Sequence, residues 1–261
     1  MELNRIYNMD CLEGMKQLVD NSIDLTVTSP PYDNLRNYNG FSFDFEGIAK
    51  ELFRVIKQGG VVVWVVGDST INGSESGTSF RQALYFKEIG FNLHDTMIYA
   101  KQNPIPLTHN RYEQQFEYMF VLSKGKPKTF NPIKIPCLHS GMSVPRRTFR
   151  NNKNDGTTGI AHTPKTIGKD KIKNNIWFYD VGSTKSAKDK VAFKHPAIFP
   201  EKLAQDHILS WSNEGDTILD TFMGSGTTAK MAKDNNRNYI GFELSSEYCD
   251  IAYKRLEVSN H

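Results

Sequence analysis

The 261-residue chain carries 32 Lys and Arg against 29 Asp and Glu, a formal charge of +3, and 38% of its residues are hydrophobic. This composition fits one medium-sized globular domain, with or without an insertion. No apolar run approaches the roughly 20 residues that cross a bilayer, and three widely spaced cysteines do not make a disulfide framework. The opening residues lack a signal-peptide pattern, so we expect a cytoplasmic protein, and no Cys/His spacing predicts a metal site.

Strands and helices alternate in the N-terminal half. The pattern predicts a strand at 2–7, a helix at 11–18 and a β-branched strand at 22–28, which ends at Ser29-Pro30-Pro31 because proline cannot continue a central strand. It further predicts a helix at 45–56 stopped by Gly59-Gly60, a buried strand at 61–66, a helix at 80–89, and strands at 93–100 and 116–122.

Residues 125–194 differ in character from the rest of the chain. Gly, Asn, Pro, Thr and Lys dominate, hydrophobic periodicity is weak, and few acidic residues lie among many basic ones. A local basic excess predicts a polyanionic partner, with Arg146, Arg147 and Arg150 as candidate contacts. The alternative for this stretch is a solvated, irregular loop.

Order returns in residues 195–261. Strands alternating with helices over the whole chain predict an α/β fold with a mostly parallel sheet covered on both faces, into which 125–194 is inserted. The elements predicted after the insertion are a helix at 201–210, a strand at 217–219, a helix at 227–235, a strand at 239–242 and a helix at 247–256.

A glycine-rich loop at 220–227 lies where a predicted strand turns into a helix. Gly224 and Gly226 allow a tight turn and let a ligand approach the backbone closely. Glu243 follows the next strand, where a carboxylate binds ribose hydroxyls in nucleotide-binding folds. The loop therefore predicts a site for an adenosine-containing ligand. A nicotinamide-binding domain opens with such a motif and builds its sheet afterwards. Here too little chain follows Gly226 to build a sheet, so the other strands must come from the N-terminal half. The order of the elements is therefore circularly permuted relative to the usual one.

The segment Thr28-Ser29-Pro30-Pro31-Tyr32 lies at the carboxyl end of a predicted buried strand, where parallel sheets place their sites. The amino group of a nucleic-acid base is a poor nucleophile because its lone pair delocalises into the ring. Ser29 Oγ and the Pro30 carbonyl can accept hydrogen bonds from that amine, and the prolines fix φ and remove N–H donors. Tyr32 offers a ring face to a base flipped out of a duplex. The alternative is an ordinary turn, but the glycine loop and this segment would flank one cleft.

Together these motifs closely resemble a β-class amino-methyltransferase of bacterial restriction-modification systems and phages. In that class Ser/Asp/Asn-Pro-Pro-Tyr comes first, a target-recognition region follows and Phe-x-Gly-x-Gly comes last; here TSPPY occupies 28–32 and DTFMGSGTT occupies 220–228. The resemblance covers nearly the whole chain. It implies a Rossmann-like, circularly permuted methyltransferase fold, S-adenosylmethionine as cofactor and double-stranded DNA as substrate. A homodimer and a cognate restriction endonuclease are further expected partners.

The resemblance also assigns roles by position. Residues 1–124 and 195–261 are the expected halves of a catalytic domain, and 125–194 is the expected target-recognition insertion. Ser29, Pro30, Pro31 and Tyr32 are the expected catalytic residues. The expected cofactor-binding residues are Asp10 and Cys11 near the adenine, Glu243 at the ribose, and His195, Phe199, Asp220, Phe222, Gly224, Ser225, Gly226 and Thr227 around the methionine part.

Three alternatives compete with this function. A ring-carbon cytosine methyltransferase needs a cysteine nucleophile after proline, but Pro136-Cys137 lies in a proline-rich stretch without a clear preceding strand or a following Gln. A protein or ribosomal-RNA methyltransferase uses a related Asn-Pro-Pro-Tyr motif, but after its glycine loop. The intact motifs argue against a catalytically inactive DNA-binding module.

Ser29 bears on which amine is methylated. It stands where adenine-N6 enzymes more often carry Asp or Asn, and by resemblance Ser-Pro-Pro is commoner among cytosine-N4 enzymes. We therefore expect transfer to N4 of cytosine, with N6 of adenine as the alternative on the same fold.

Overall fold

A computed structural model describes the chain apart from residues 32–42, 104–109, 145–148, 153–157, 162–164, 183–184, 196–197, 199 and 259–261. Its contacts divide the chain into two compact units. Met1–Asn131 and Asn175–His261 form one, here called the sheet unit, and Pro132–Asn174 form the other, here called the ribbon unit. The proline pair and the glycine loop both belong to the sheet unit.

The described residues of the sheet unit build an eight-stranded sheet. Its strands in chain order are β1 (Arg5–Asn8), β2 (Ile23–Thr28), β3 (Ile56–Val66), β4 (Asn92–Lys101), β5 (Phe116–Ser123), β6 (Ile176–Tyr179), β7 (Thr217–Asp220) and β8 (Asn238–Glu243). In space they run β1-β8-β7-β2-β3-β5-β4-β6. All neighbours are parallel except that β5 is antiparallel to β3 and β4. The sheet is therefore mixed but mostly parallel.

Helices pack on this sheet in two groups, α1 to α3 and α4 to α6, with neighbours in contact within each group. Strand β2 leads through α2 to β3, and β7 leads through α5 to β8 in the opposite direction along the sheet. Because such crossovers are right-handed, α2 and α5 lie on opposite faces of the sheet. The bounds are α1 (Cys11–Lys16), α2 (Phe45–Val55), α3 (Thr78–Glu88), α4 (Glu201–Trp211), α5 (Thr227–Asp234) and α6 (Ser246–Val258), with a 3₁₀-helix at Lys190–Lys194 and a small hairpin of Thr70–Ile71 with Ser74–Glu75.

The central strand β3 is buried over its whole apolar run, as expected for a strand covered on both faces. Helix α2 turns Ile48, Leu52 and Val55 toward it at helical spacing. Trp64 of β3 meets Phe86 of α3 edge to face, with ring centroids 5.3 Å apart. These contacts make an aromatic and aliphatic core on the face that α1, α2 and α3 cover.

The strand order places a topological switch point between β7 and β2. The chain leaves β7 toward β8 on one side, and it leaves β2 toward β3 on the other. Connections that diverge in this way leave a crevice at the carboxyl ends of the two strands, where α/β sheets bind ligands. The two sequence motifs follow these two strands, so the topology brings them to the same crevice.

The ribbon unit is an antiparallel two-stranded ribbon. Three paired segments follow one another along it: Lys134–Pro136 with Asp170–Ile172, Ser143–Val144 with Lys165–Thr166, and Phe149–Asn152 with Thr158–Ala161. Among its side chains whose burial is described, at 132–143 and 166–174, none is buried. A two-stranded ribbon without a core is marginally stable in water, and the side chains described at 132–143 and 166–174 supply no such core.

The prediction of an α/β fold with a mostly parallel mixed sheet is confirmed, and each strand and helix predicted in 1–124 and 195–261 is present within a few residues. The compact unit inside 125–194 is shorter than that range. Residues 176–179 form β6, which pairs with β4 in the main sheet. Strand β3 also begins at Ile56, before Gly59-Gly60, because Ile56 already pairs with Ile23 across a bulge. Pairing with distant strands decides both differences.

In the part of the chain that the structure describes, no helix is long and apolar enough to cross a membrane. The same part holds no group of three or more His, Cys, Asp or Glu side chains placed to bind a metal ion.

Trp64→Phe tests how much one buried hydrogen bond contributes to the stability of the core. Trp64 Nε1 donates to Gln82 Oε1 at 2.8 Å, and both side chains are buried. The variant leaves this acceptor unpaired, and we expect it to lower the free energy of unfolding by about 1–3 kcal/mol through this effect. In Trp64→Phe/Gln82→Met, where both partners are apolar, part of the loss should return. Urea unfolding measures it, and a double variant weaker than the single one would contradict this account.

Candidate active site

Four polar side chains lie at or just beyond the carboxyl ends of four adjacent parallel strands. In the spatial order β1, β8, β7, β2 these are Asp10, Glu243, Asp220 and Ser29. The ends of β1 and β8 are in register, since Asn8 pairs with Glu243 and Met9 N donates to the Glu243 carbonyl at 3.1 Å. The sheet therefore gathers residues that are up to 233 positions apart in the sequence along one edge.

Asp220 and Thr28 join the ends of β7 and β2. Thr28 Oγ1 donates to Asp220 Oδ1 at 2.6 Å, and both residues are buried. Phe222 N donates to the same carboxylate oxygen at 3.0 Å. One buried carboxylate thus holds the residue before Ser29 and the start of the glycine loop together.

The second oxygen of Asp220 is different. Thr228 lies near this carboxyl, and its presence lowers the pKa of Asp220, but its Oγ1 donates to the Val27 carbonyl at 3.1 Å. Asp220 Oδ2 is buried without a hydrogen-bond partner among the described residues. Burial raises the pKa of Asp220 to about 6, although the bond from Thr28 opposes that shift. A buried carboxylate oxygen that lacks a donor is suited to a ligand that brings one.

The glycine loop turns at two residues in the left-handed region, Gly224 with φ of +50° and Gly226 with φ of +79°. A Cβ on Gly226 would lie 2.7 Å from Ala252 Cβ of α6, so α6 approaches the loop too closely for any side chain there. A Cβ on Gly224 would lie 3.0 Å from His195 Nε2. Both glycines are therefore required by backbone conformation and by close approach.

Glu243 organises the same loop from the neighbouring strand. Its Oε2 accepts from Gly224 N at 2.8 Å, and its Oε1 accepts from Ser245 N at 2.9 Å. Burial raises the pKa of this carboxyl above its ordinary value, and the backbone donors oppose the shift. Each carboxylate oxygen keeps a further lone pair, so Glu243 can also accept from hydroxyl groups of a ligand.

Three aromatic contacts border the loop. Phe222 packs edge-on against Phe43 and Trp64, with centroids 5.7 and 6.2 Å away. His195, at the end of the 3₁₀-helix, lies against Tyr248 of α6 with ring centroids 4.3 Å apart. Of the two residues expected to cover the methionine part, His195 thus lies beside α6, and Phe199 lies outside the described residues.

At the end of β2, Pro30 is buried, and Ser29 and Pro31 are half-buried. They occupy the crevice edge beside Asp220 because β2 and β7 are paired in parallel. Tyr32, expected to stack on a base, lies outside the described residues. Of the predicted catalytic segment, the structure thus describes the strand end and both prolines.

Asp10 and Cys11 have local structural roles at the neighbouring strand end. Asp10 caps α1 by accepting from Leu12 N at 2.9 Å and Glu13 N at 3.1 Å. Cys11 is buried, and burial, followed by the charge of Asp10, raises the pKa of its thiol to about 12. Burial likewise raises the pKa of Cys249 to about 11. These two thiols stay protonated near neutral pH and are not suited to nucleophilic attack.

The candidate DNA contacts belong to the ribbon unit. Arg146 and Arg147 lie outside the described residues, and Arg150 lies in the strand Phe149–Asn152.

The sequence analysis missed Arg255, a buried residue of α6 that bonds to Ser225 and Thr227 of the glycine loop. The signal was weak because an arginine in a terminal helix ordinarily faces solvent.

Comparisons with known proteins identify the family of this chain. A family model described as DNA methylase, N6_N4_Mtase, matches residues 23–254. The chain belongs to this family. It is a DNA amino-methyltransferase of the N4/N6 type, and the resemblance drawn from the two motifs is confirmed.

Individual relatives of the methylase cover nearly its whole length. A Bacillus amyloliquefaciens protein named orphan methyltransferase M.BamHII is 61% identical over 240 residues, covering 91% of this chain and 90% of that protein. The structure of PvuII DNA methyltransferase, named cytosine-N4-specific, superposes with a TM-score of 0.69 at 20% identity, over 96% of this chain and 85% of that one. A complex of M1.HpyAVI with S-adenosylmethionine superposes with a TM-score of 0.61 at 23% identity, over 97% and 98% of the chains.

Thr28→Val tests the bond at the centre of the site. The variant keeps the side-chain shape but removes the donor to Asp220, and we expect a loss of about 1.5–3 kcal/mol in unfolding free energy at pH 7.5. Since the pKa of Asp220 is raised to about 6, protonation removes its charge below that pH, and the loss should shrink at pH 5. Urea unfolding at both pH values measures it, with the exposed Thr70→Val as control. Equal losses at both pH values would argue against an ionised Asp220.

Proposed function

We propose that this methylase transfers a methyl group from S-adenosylmethionine to the exocyclic N4 amine of cytosine in double-stranded DNA. The observation that carries the proposal is the Thr28–Asp220 bond, which holds the Ser29-Pro30-Pro31 segment and the glycine loop at one switch point. The groups for binding a cofactor and for orienting an amine therefore flank the same crevice.

The residues at the crevice fit S-adenosylmethionine. Asp220 offers a buried carboxylate oxygen to which no described residue donates, and this suits the ammonium group of the methionine part. Gly224 presents no Cβ to a ligand, and Glu243, which accepts from Gly224 N, can also accept from ribose hydroxyls. When bound, the cofactor supplies an electrophilic methyl group.

Further residues complete the proposed cofactor site. Ser225, Gly226 and Thr227 give the loop its turn into α5, and Phe222 anchors the loop to the aromatic core. His195 and Phe199 belong to the segment proposed to cover the methionine part. Asp10 and Cys11 lie at the end of β1, beside the β8 end that carries Glu243, and are proposed near the adenine.

The proposed chemistry of the protein itself is hydrogen bonding and exclusion of water. Ser29 Oγ and the Pro30 carbonyl accept from the two N–H groups of the amine, which turns its lone pair out of conjugation with the ring. Pro30 and Pro31 hold these acceptors still because their φ angles are fixed. Tyr32 stacks on the flipped base and offsets part of the few kcal/mol that flipping costs. Orientation supplies the rate enhancement without a covalent intermediate.

Cytosine rather than adenine is proposed because of Ser29. By resemblance, Ser-Pro-Pro is commoner among cytosine-N4 enzymes, and Asp or Asn is commoner at this position in adenine-N6 enzymes. The family as a whole includes both specificities. Adenine N6 is therefore the alternative product on the same fold and with the same chemistry.

The ribbon unit is the proposed DNA-recognition element. Its 43 residues hold nine Lys and Arg against two Asp, a net charge of +7, whereas the sheet unit holds 23 basic and 27 acidic residues, a net charge of −4. A two-stranded ribbon also fits the width of the major groove. Contacts to DNA can stabilise a segment whose described side chains form no core of their own. The homodimer and the cognate endonuclease stay predictions.

Asp220→Asn tests the cofactor site. Asn keeps the acceptor for Thr28 and Phe222 but removes the charge proposed to pair with the cofactor ammonium, so we expect S-adenosylmethionine to bind about 10- to 100-fold more weakly at pH 7.5. Wild-type affinity should fall as the pH drops through about 6, where Asp220 of the free protein is protonated, and the variant should lack this fall. Titration calorimetry measures both. Asp216→Asn, at the amino end of β7, is the control, and unchanged affinity in Asp220→Asn would refute the assignment.

The base is identified by mass spectrometry of nucleosides from methylated DNA. We expect N4-methylcytosine from the wild type and none from Gly224→Val, whose side chain meets His195 in a strained backbone conformation. Cys137→Ser should retain near-normal activity because the chemistry uses no cysteine nucleophile. N6-methyladenine alone would overturn the base assignment, and 5-methylcytosine lost in Cys137→Ser would overturn the amine chemistry.

The ribbon unit should give DNA binding that depends strongly on salt, because phosphate contacts release counterions. Replacing Arg146 and Arg147 with Ala should weaken binding and reduce the slope of log K against log salt by about 0.9 for each lost contact. The control replaces Lys50 and Lys87 of the sheet unit, both exposed, with Ala. Fluorescence anisotropy over a salt series measures the slopes. An equal slope in the arginine variant and the wild type would place the DNA surface elsewhere.

A further inference from the structure

A cluster of four charged side chains with little or no solvent exposure contacts the glycine loop of the methylase from the side of α6. Arg255 of α6 is fully buried, and Lys230 of α5 is 7% exposed. Asp189, which precedes the 3₁₀-helix, and Glu201, the first residue of α4, provide the opposing charges. Two cations thus face two anions, as buried charges require.

Arg255 is the member that bonds to the loop. Its Nη1 donates to the Ser225 carbonyl at 2.7 Å, and it lies 3.0 Å from both Ser225 Oγ and Thr227 Oγ1. Its Nε donates to both Asp189 oxygens at 3.1 Å, and its Nη2 donates to Glu201 Oε1 at 2.8 Å. One planar guanidinium therefore connects the loop to two other segments of the chain.

The segment that begins at Asp189 leads to His195, which lies beside the loop. Asp189 Oδ1 accepts from Ala192 N at 3.0 Å and so begins the 3₁₀-helix. His195, at the end of that helix, lies 3.0 Å from the position of a Cβ on Gly224. The position of His195 relative to Gly224 thus depends on the distance between Asp189 and Ser225, which Arg255 spans.

The loop needs such an external restraint. Ser225 lies between two glycines with positive φ, and glycine permits several backbone conformations at low cost. A buried guanidinium on the Ser225 carbonyl selects one orientation of the peptide plane between Ser225 and Gly226, since that plane is rigid. A cofactor that binds the loop then finds it already in the required conformation, which reduces the entropy lost on binding.

We propose that Arg255 is a positioning residue for the cofactor site: it holds the glycine loop and the His195 segment at the separation that S-adenosylmethionine requires. The inference rests on the proposed cofactor binding. Lysine is a poor substitute because a single ammonium group cannot reach Ser225, Asp189 and Glu201 in the fixed geometry of the guanidinium fork. The role therefore belongs to the shape of the side chain as well as to its charge.

Arg255→Lys tests the proposal while keeping the buried charge. We expect its dissociation constant for S-adenosylmethionine, measured by calorimetry, to rise tenfold or more. Its KM for the cofactor should rise more than its kcat falls, because Arg255 touches neither the methyl group nor the base. Hydrogen exchange of a peptide covering residues 222–229 should become faster in the free protein.

Arg54→Lys is the matched control. Arg54 also makes a dense set of bonds, to Glu51, Asp20 and the carbonyls of Met15 and Leu18. It lies near the amino end of β3, whereas the crevice lies at the carboxyl ends of the strands. We expect this control to lower the melting temperature but to leave the dissociation constant within twofold of the wild type.

Asp189→Asn provides a second test if Arg255→Lys does not fold. It keeps an acceptor for Ala192 but weakens the pair with Arg255, and we expect the dissociation constant to rise at least threefold. In the double variant the two effects should be less than additive, since both disturb one interaction. If the wild type binds S-adenosylmethionine and both variants bind it within twofold of the wild type, the inference is wrong. If the wild type itself does not bind, the proposed function fails instead.

Discussion

The buried hydrogen bond from Thr28 to Asp220 ties together the two strand ends on which the methylase site depends. It lies at the only place in the described sheet where connections leave neighbouring parallel strands in opposite directions. On one side of it the chain continues into Ser29-Pro30-Pro31, and on the other it continues into the glycine loop. Both partners are buried, so breaking this bond leaves the Asp220 carboxylate with neither this donor nor water to replace it. The relative position of the two motifs is therefore enforced by the cost of that buried charge.

Around this bond, the loop is held by polar groups from several elements rather than by apolar packing alone. Glu243 of β8 accepts from Gly224 N, and Arg255 of α6 donates to the Ser225 carbonyl. Phe222 adds an aromatic contact with the core. A loop built from glycines has few conformational preferences of its own, so the surrounding elements must supply them. The buried cluster of Arg255, Lys230, Asp189 and Glu201 extends this support to the segment that carries His195.

Charge is divided sharply between the two units. The ribbon unit carries +7 and the sheet unit −4, although the whole chain carries only +3. In the proposed function the ribbon unit supplies attraction to the phosphate backbone, which positions a duplex without specifying its sequence. In the same proposal, the sheet unit supplies the chemistry at the switch point. A ribbon whose described side chains are not buried can adapt to a partner, whereas the proposed cofactor loop has to be rigid.

Local sequence determined much of this protein. Apolar periodicity, proline and glycine predicted all eight helices and strands from β1 to β5 and all five from α4 to α6, although not the small hairpin at Thr70–Ile71 and Ser74–Glu75. The order of two short motifs predicted the family and the permuted fold. These features depend on neighbouring residues in the chain, so they are legible without coordinates. Only the tertiary structure decided that 176–179 form β6 in the main sheet, that Asp220 bonds to Thr28, and that Arg255 is buried against the loop. Each of these joins residues at least 28 positions apart. The partner of a polar side chain or of a short strand is set by how the elements pack, which no local pattern encodes.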